Sequence, residues 1–185
     1  AVKKLVIPSP EAGAVVLAVQ DLHLARTDPF GVDLVGVHLQ VRAGEVVGIA
    51  GVSGNGQKEL LYALSGEDLR AAPAMVQLAG QNAGQLDPRA RRALGLHFVP
   101  EERLGRGAVP GMALAHNLLL TRSDALGAGG WIRMGQLQAQ ARAIIERFQV
   151  KAAGPQALAQ SLSGGNLQKF IVGREMDAHP SVLIV

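Results

Sequence analysis

Apolar residues recur along this chain with two periods, and each period predicts a different kind of element. From Leu17 to Leu24 they alternate in part, and Val35, Val37, Leu39 and Val41 alternate cleanly with Gly36, His38 and Gln40. A period of two turns one face of a strand to the core, so both segments predict half-buried strands. Ala43-Gly44 predicts a turn, and Glu45–Ala50 (EVVGIA) a short strand buried on both faces. A glycine-rich loop at Gly51–Gln57 leads into a helix over Lys58–Leu64, closed by Gly66. Met75–Ala79 and Leu96–Val99 predict further strands. Asp87-Pro88 opens a short helix that Gly95 stops, because Asp caps a helix and Pro suits its first turn. After a charged loop at Pro100–Gly111, Ala113–Leu120 predicts a helix. Gly135–Val150 sets Leu137, Ala141, Ile144, Ile145 and Phe148 on one face of an amphipathic helix. A last helix over Gly164–Met176 ends at His179-Pro180, and Ser181–Val185 opens a strand.

Composition narrows the class. The 185 residues match about one domain on a prior of roughly 100–200 residues each, enough for a core without staples. A hydrophobic fraction of 48% against 18% charged excludes a disordered chain. The absence of cysteine excludes a disulfide scaffold and thiolate metal sites. The 23 glycines have no triplet period, which excludes collagen. Aromatics at 3% leave little for base stacking, and a net charge of +3 does not point to nucleic acid. No apolar run reaches the roughly 18–20 residues of a membrane span, and the start AVKKLVIPSPEAG is too short in its apolar part for a signal peptide. Residues 1–13 read as linker. The start at Ala1 and the apolar end Val182–Val185 read as a fragment cut at both ends. His23, His38, His97, His116 and His179 lack metal-ligand spacing and read as structural or surface residues, with no metal site expected. Trp131 reads as a loop anchor.

The strand, loop and helix at Glu45–Leu64 contain GVSGNGQKEL, with the Gly51 to Gly56 spacing of the phosphate loop G-x-x-x-x-G-K-[ST]. Such a loop wraps phosphates in backbone N–H groups at a helix N-terminus. The candidate nucleotide-binding residues are Gly51, Val52, Ser53, Gly54, Asn55, Gly56, Gln57, Lys58 and Glu59. Two positions depart from the pattern. Gln57 stands where the lysine reaches the outer phosphates and brings no charge. Lys58 stands where Ser/Thr ligates magnesium, and an ammonium has donors only. The loop is therefore poorly equipped for magnesium-dependent phosphoryl transfer. Taken alone, the spacing is equally that of a tight strand–helix turn.

About 110 residues downstream, Leu162-Ser163-Gly164-Gly165-Asn166-Leu167-Gln168-Lys169 opens the last helix. It strongly resembles the signature motif of ATP-binding-cassette ATPases, with Leu162, Ser163, Gly164, Gly165, Asn166 and Gln168 as its candidate site residues. Ser163 offers a hydroxyl, and the glycines expose N–H groups at a helix start, a second place suited to an anion. Gly44-Glu45 resembles the family's turn before the phosphate-loop strand. Phe98-Val99-Pro100-Glu101 lies where the family's Q-loop would be, with Glu101 in place of glutamine. Pro100–Gly107 (PEERLGRG) resembles the PEDR segment of one subgroup. Met112–Asn117 with Leu118 resembles the helix start that follows the Q-loop and touches the membrane subunit. The resemblance runs from about Leu17 to Val185.

It implies an α/β fold, a P-loop NTPase of the ATP-binding-cassette type. That fold has a RecA-like core with an antiparallel β subdomain over 14–99, a Q-loop-like segment and helical subdomain over 100–161, and the signature helix with the start of the Walker B strand over 162–185. The C-terminal part of the core is expected to be missing. The combination looks like the second nucleotide-binding half of the tandem ATP-binding subunits that energise bacterial uptake of simple sugars and nucleosides. Arg174-Glu175-Met176-Asp177, followed by Pro180, leans towards the nucleoside branch. The resemblance further implies ATP as ligand, with Mg2+ in the intact family but poorly served here. It implies a first nucleotide-binding half on the same polypeptide, permease subunits and, indirectly, a solute-binding protein as partners. No nucleic-acid partner is implied. The subunit is expected in the cytoplasm, peripheral on the inner face of the membrane. The Walker B acid and switch histidine are expected beyond Val185, so no catalytic residue lies within the chain and the chain alone is expected to be inactive. A base-stacking aromatic is sought near the first strand, where Phe30 is the nearby candidate. Two other readings stand beside this one: a non-transport cassette protein of DNA repair or translation, and a purely regulatory nucleotide-binding module.

Overall fold

The computed structural model describes residues 13–52, 54–128 and 131–185. The expected linker over 1–13 falls outside them, Gly13 apart. Contacts divide the chain into two units, Ala1–Leu96 and His97–Val185.

In the first unit, β1 (Val15–Leu24) pairs antiparallel with β2 (Leu34–Arg42). On its other side β1 pairs with β3 (Val76–Leu78), which pairs in turn with β4 (Gln81–Asn82). The sheet order is β2-β1-β3-β4. In β1 the period of two holds in two stretches, Leu17 with Val19 and Leu22 with Leu24, all buried, and breaks between them where the register shifts and Asp21 takes φ +48°. In β2 it fails at Val35, which is 71% exposed. Leu22 faces Val37 and Leu24 faces Leu34, so β2 carries an extra residue there, and Gly36 takes φ +60°. That bulge turns Val35 outward.

The buried strand predicted over Glu45–Ala50 does not form. The segment has no regular structure and is exposed, with Val46 at 97%. An apolar run holds strand geometry only where its N–H and C=O groups find a ladder. Among the described residues, no strand pairs with it. Downstream, α1 (Gln57–Ser65) ends at Gly66 in the left-handed conformation, and α2 (Pro88–Ala93) starts at Asp87, whose carboxylate accepts the Ala90 N–H at 2.7 Å. Arg91 of α2 is fully buried and closes the C-terminal end of α1. Its guanidinium donates to the carbonyls of Ala63, Leu64 (2.8 Å), Leu86 (2.8 Å) and Gly84 (3.0 Å). Burial pushes its pKa down to about 10. A cation there satisfies orphan carbonyls and matches the helix dipole.

The second unit begins at His97, within β5 (Leu96–Phe98), which is followed by the short helices α3 (Leu114–Asn117) and α4 (Leu119–Leu126). The single helix predicted over Ala113–Leu120 is thus two, and α4 is itself broken at Arg122 (φ −137°). A two-residue hairpin follows, β6 (Gly127–Ala128) and β7 (Trp131–Ile132). Trp131 is 83% exposed there, so it does not anchor a loop. Next come α5 (Met134–Arg147), α6 (Gly164–Met176) and β8 (Val182–Ile184), which pairs with β5. The core gathers Leu114 and Leu118, Leu137, Ala141 and Ile144 of α5, and Leu167, Phe170 and Ile171 of α6. Gly173 permits this approach, because a Cβ there would stand 2.7 Å from the Phe148 ring.

Asp177, just past α6, closes the unit electrostatically. Arg122 donates to it at 2.9 Å and Gln140 at 3.2 Å, with Arg147 at 3.6 Å. Burial pushes its carboxyl up, but the hydrogen bonds from Arg122 and Gln140 and the charges of Arg122 and Arg147 outweigh it, holding the pKa below the usual carboxylate value. A depressed pKa adds stability above the unfolded value near about 4 and loses it as pH falls through the folded pKa. Urea midpoints of wild type and Asp177→Asn are therefore expected to differ at pH 7, with wild type the more stable, and to converge as the pH is taken well below 4.

Candidate functional site

The glycine-rich loop ends where α1 begins. Gly56 is the N-cap residue at φ +92° and is buried, with Leu34 and Val32 in van der Waals reach of any Cβ placed there. Gly54 also lies in the left-handed region, at φ +89°. These are positions that glycine fills without strain. Ser53 lies outside the described residues. Gly51, Val52, Gly54 and Asn55 are exposed.

The three side chains that start α1 go different ways. Gln57 folds back into the loop, donating from Nε2 to the Val52 carbonyl (3.0 Å) and accepting the Asn55 N–H on Oε1 (3.1 Å). Lys58 lies over the Tyr62 ring, 5.5 Å from its centre. Glu59 accepts the Val32 N–H at 3.3 Å and so ties α1 to the connection between β1 and β2. Phe30, in that connection, is 96% exposed.

In the second unit, the turn before α6 is open. Ser163 is the N-cap residue, yet no side chain caps the helix, and the first helical bond runs from Leu167 N–H to Ser163 C=O. Ser163, Gly164, Gly165 and Gln168 are exposed, and Leu162 is half-buried. Asn166 donates from Nδ2 to the Ser163 hydroxyl (2.9 Å) and accepts the Lys151 N–H (2.9 Å), which fixes the turn from both sides. Arg103 also reaches this turn. Its Nη1 would stand 2.7 Å from a Cβ on Gly164, so the guanidinium rests on the glycine. A cation thus sits at the positive end of a 13-residue helix, an arrangement that favours an anion. Arg103 lies in the PEERLGRG segment, and no spacing in the sequence signals its approach to this turn.

A buried polar chain braces α6 from behind. Glu175, fully buried, holds His97 of β5 (Nδ1, 3.0 Å) and Arg174 (Nε, 2.8 Å). Arg174 donates to the Asn117 carbonyl at 3.1 Å. Asn117 pins the preceding loop, accepting Val109 N–H (2.8 Å) and donating to the Met112 (3.1 Å) and Ala113 (3.2 Å) carbonyls. Glu101 is exposed in the turn that follows β5.

A family model described as ABC transporter matches residues 34–185. The chain belongs to the ABC transporter family. It is 40% identical over 168 residues to the glucose import ATP-binding protein TsgD13 of Haloferax volcanii, covering 88% of this chain and 30% of that protein. It is 36% identical over 173 residues to the nucleoside import ATP-binding protein NupA of Lactococcus lactis, covering 92% and 34%. A ribose import ATP-binding protein of Rhodococcus jostii is 35% identical over 175 residues, covering 95% and 33%. The chain therefore spans about a third of the length of these curated relatives. Among solved structures, the ADP conformation of the ATP-binding cassette MJ1267 aligns with a TM-score of 0.69 at 20% identity, over 92% of this chain and 67% of that one. A nucleotide-free cassette aligns at 0.70 and 18%, over 92% and 68%. The fold is that of an ABC cassette, an α/β P-loop NTPase.

ABC proteins bind ATP with Mg2+, and the loop before α1 is a poor fit to the metal. The Lys58 ammonium has no lone pair and is turned to Tyr62, while the Gln57 amide oxygen already accepts Asn55 N–H. Among the described residues, no group of three or more His, Asp or Glu is arranged to hold a metal ion. Nor, among them, is any helix long and apolar enough to cross a membrane.

Proposed function

We propose that the protein is the ATP-binding subunit of an importer for simple sugars or nucleosides, and that this chain is its second nucleotide-binding half. It acts chiefly in trans. ATP held by the phosphate loop of the first half is covered by the turn Ser163–Gly165, whose N–H groups and hydroxyl meet the charge that develops as the terminal phosphate leaves. Arg103 adds a cation beside that turn. The chain's own loop, Gly51–Glu59, is the weaker site, holding nucleotide with little hydrolysis. Permease subunits take up the closing motion at the inner face of the membrane, and a solute-binding protein delivers the solute to them.

The contrast between the two loops carries this reading. The turn before α6 keeps its donors open, whereas the loop before α1 has the Asn55 N–H taken by Gln57 and its one lysine turned to Tyr62. The names of relatives that import glucose, nucleosides, guanosine and ribose support the importer. Of the residues leaning towards nucleosides, Arg174 and Glu175 are buried, Asp177 is ion-paired and Met176 is exposed.

The reading is tested by repairing the loop. Gln57→Lys with Lys58→Ser restores a phosphate cation and a metal-ligating hydroxyl. ATP hydrolysis at this loop, measured with the first half disabled, is expected to rise about tenfold or more in the repaired protein. Equal rates in wild type and repaired protein would contradict it.

A further inference from the structure

Gln57 does more than fail to be a lysine. Its amide sits within the loop that the proposed function assigns to nucleotide. Nε2 donates to the Val52 carbonyl at 3.0 Å, and Oε1 accepts the Asn55 N–H at 3.1 Å, a hydrogen that also points at the Val52 carbonyl at 3.3 Å. The amide nitrogen lies so close to Gly51 that a Cβ on that glycine would overlap it. The side chain therefore spans the loop from Gly51 to Asn55.

Each of these bonds works against an anion. A phosphate oxygen entering at the start of α1 would take loop N–H donors such as that of Asn55. Here the chain's own amide oxygen takes it. Lysine at this position has donors only and would leave the Asn55 N–H with the longer contact to the Val52 carbonyl alone, whereas glutamine brings a second, nearer acceptor. Neither neighbour competes for the space, because Lys58 lies over Tyr62 and Glu59 is held by Val32.

We propose that Gln57 is an internal stand-in for the phosphate, which lowers the affinity of this loop for nucleotide by occupying its donor. Nucleotide enters only by displacing the amide. This rests on the reading of the loop as a nucleotide site, and it involves only Gly51, Val52, Asn55 and Gln57 of that loop.

The test uses Gln57→Ala and Gln57→Leu, which remove the amide and add no charge. Calorimetric titration of the protein with ATP in EDTA is expected to give affinity about threefold to tenfold tighter than wild type, the span of one net hydrogen bond. Were Gln57 a ligand-binding donor, both variants would bind more weakly; weaker or unchanged binding overturns the proposal. Amide hydrogen exchange of Asn55 in the nucleotide-free protein gives a second readout. Exchange is expected to be about threefold or more faster in Gln57→Ala, and an unchanged rate overturns the proposal. If ATP binds to none of wild type, Gln57→Ala and Gln57→Lys, the nucleotide reading of the loop fails, while Asn55 exchange still decides whether Gln57 occupies the donor.

Discussion

Glu175→Ala is expected to destabilise the protein by about 3–5 kcal/mol, the range for breaking a buried ionic contact from one side. The carboxylate is fully buried and accepts on both oxygens, from His97 at 3.0 Å and from Arg174 at 2.8 Å. Truncation leaves a guanidinium that is 3% exposed and an imidazole that is 7% exposed without this partner. The damage extends to the Asn117 carbonyl, which Arg174 holds, and so to the loop that Asn117 pins. Glu175→Gln keeps the volume and one acceptor, and is expected to lose about half as much. Chemical denaturation followed by far-ultraviolet circular dichroism measures both. A loss under about 1 kcal/mol for the alanine variant would show that the bracing of α6 lies elsewhere.

Gly165→Asp is expected to abolish function and leave the fold intact. A Cβ on Gly165 meets no heavy atom within 4 Å, so the turn admits the side chain. A carboxylate in the first turn of a 13-residue helix also suits its dipole, so thermal stability is expected to be unchanged or slightly raised. The same charge repels the phosphate that the proposed function brings to this turn. ATP hydrolysis by the complete subunit is expected to fall about 100-fold or more, the usual effect of losing one such stabilising contact. Gly164 makes a poorer test, because a Cβ there collides with Arg103.

Where local rules decide, the sequence was a good guide. The last helix begins at the glycines after Ser163 and ends at Met176 as predicted, because a proline stop such as His179-Pro180 acts within a few residues. The Asp87 cap and the stop at Gly66 follow the same logic. Glu45–Ala50 was misread because its apolar run encodes a demand for neighbouring strands, and none among the described residues meets it. The β6–β7 hairpin offers only two residues a side, below any usable period. At the site, residue types in two motifs were legible, but the directions of side chains were not. That Gln57 turns into the loop and Lys58 out of it depends on the left-handed turn at Gly56 and on the Tyr62 ring. The approach of Arg103 to Gly164 joins residues 61 positions apart, which no local pattern announces.

The central claim is that this chain acts on nucleotide held elsewhere more than on its own. Steady-state ATP hydrolysis by the complete, permease-bound subunit tests it with two single variants. Gln57→Glu puts a negative charge inside the chain's own loop, and Gly165→Asp puts one at the turn before α6. The account predicts that Gln57→Glu keeps hydrolysis within about twofold of wild type while Gly165→Asp loses about 100-fold. A large loss in Gln57→Glu with hydrolysis preserved in Gly165→Asp would contradict it.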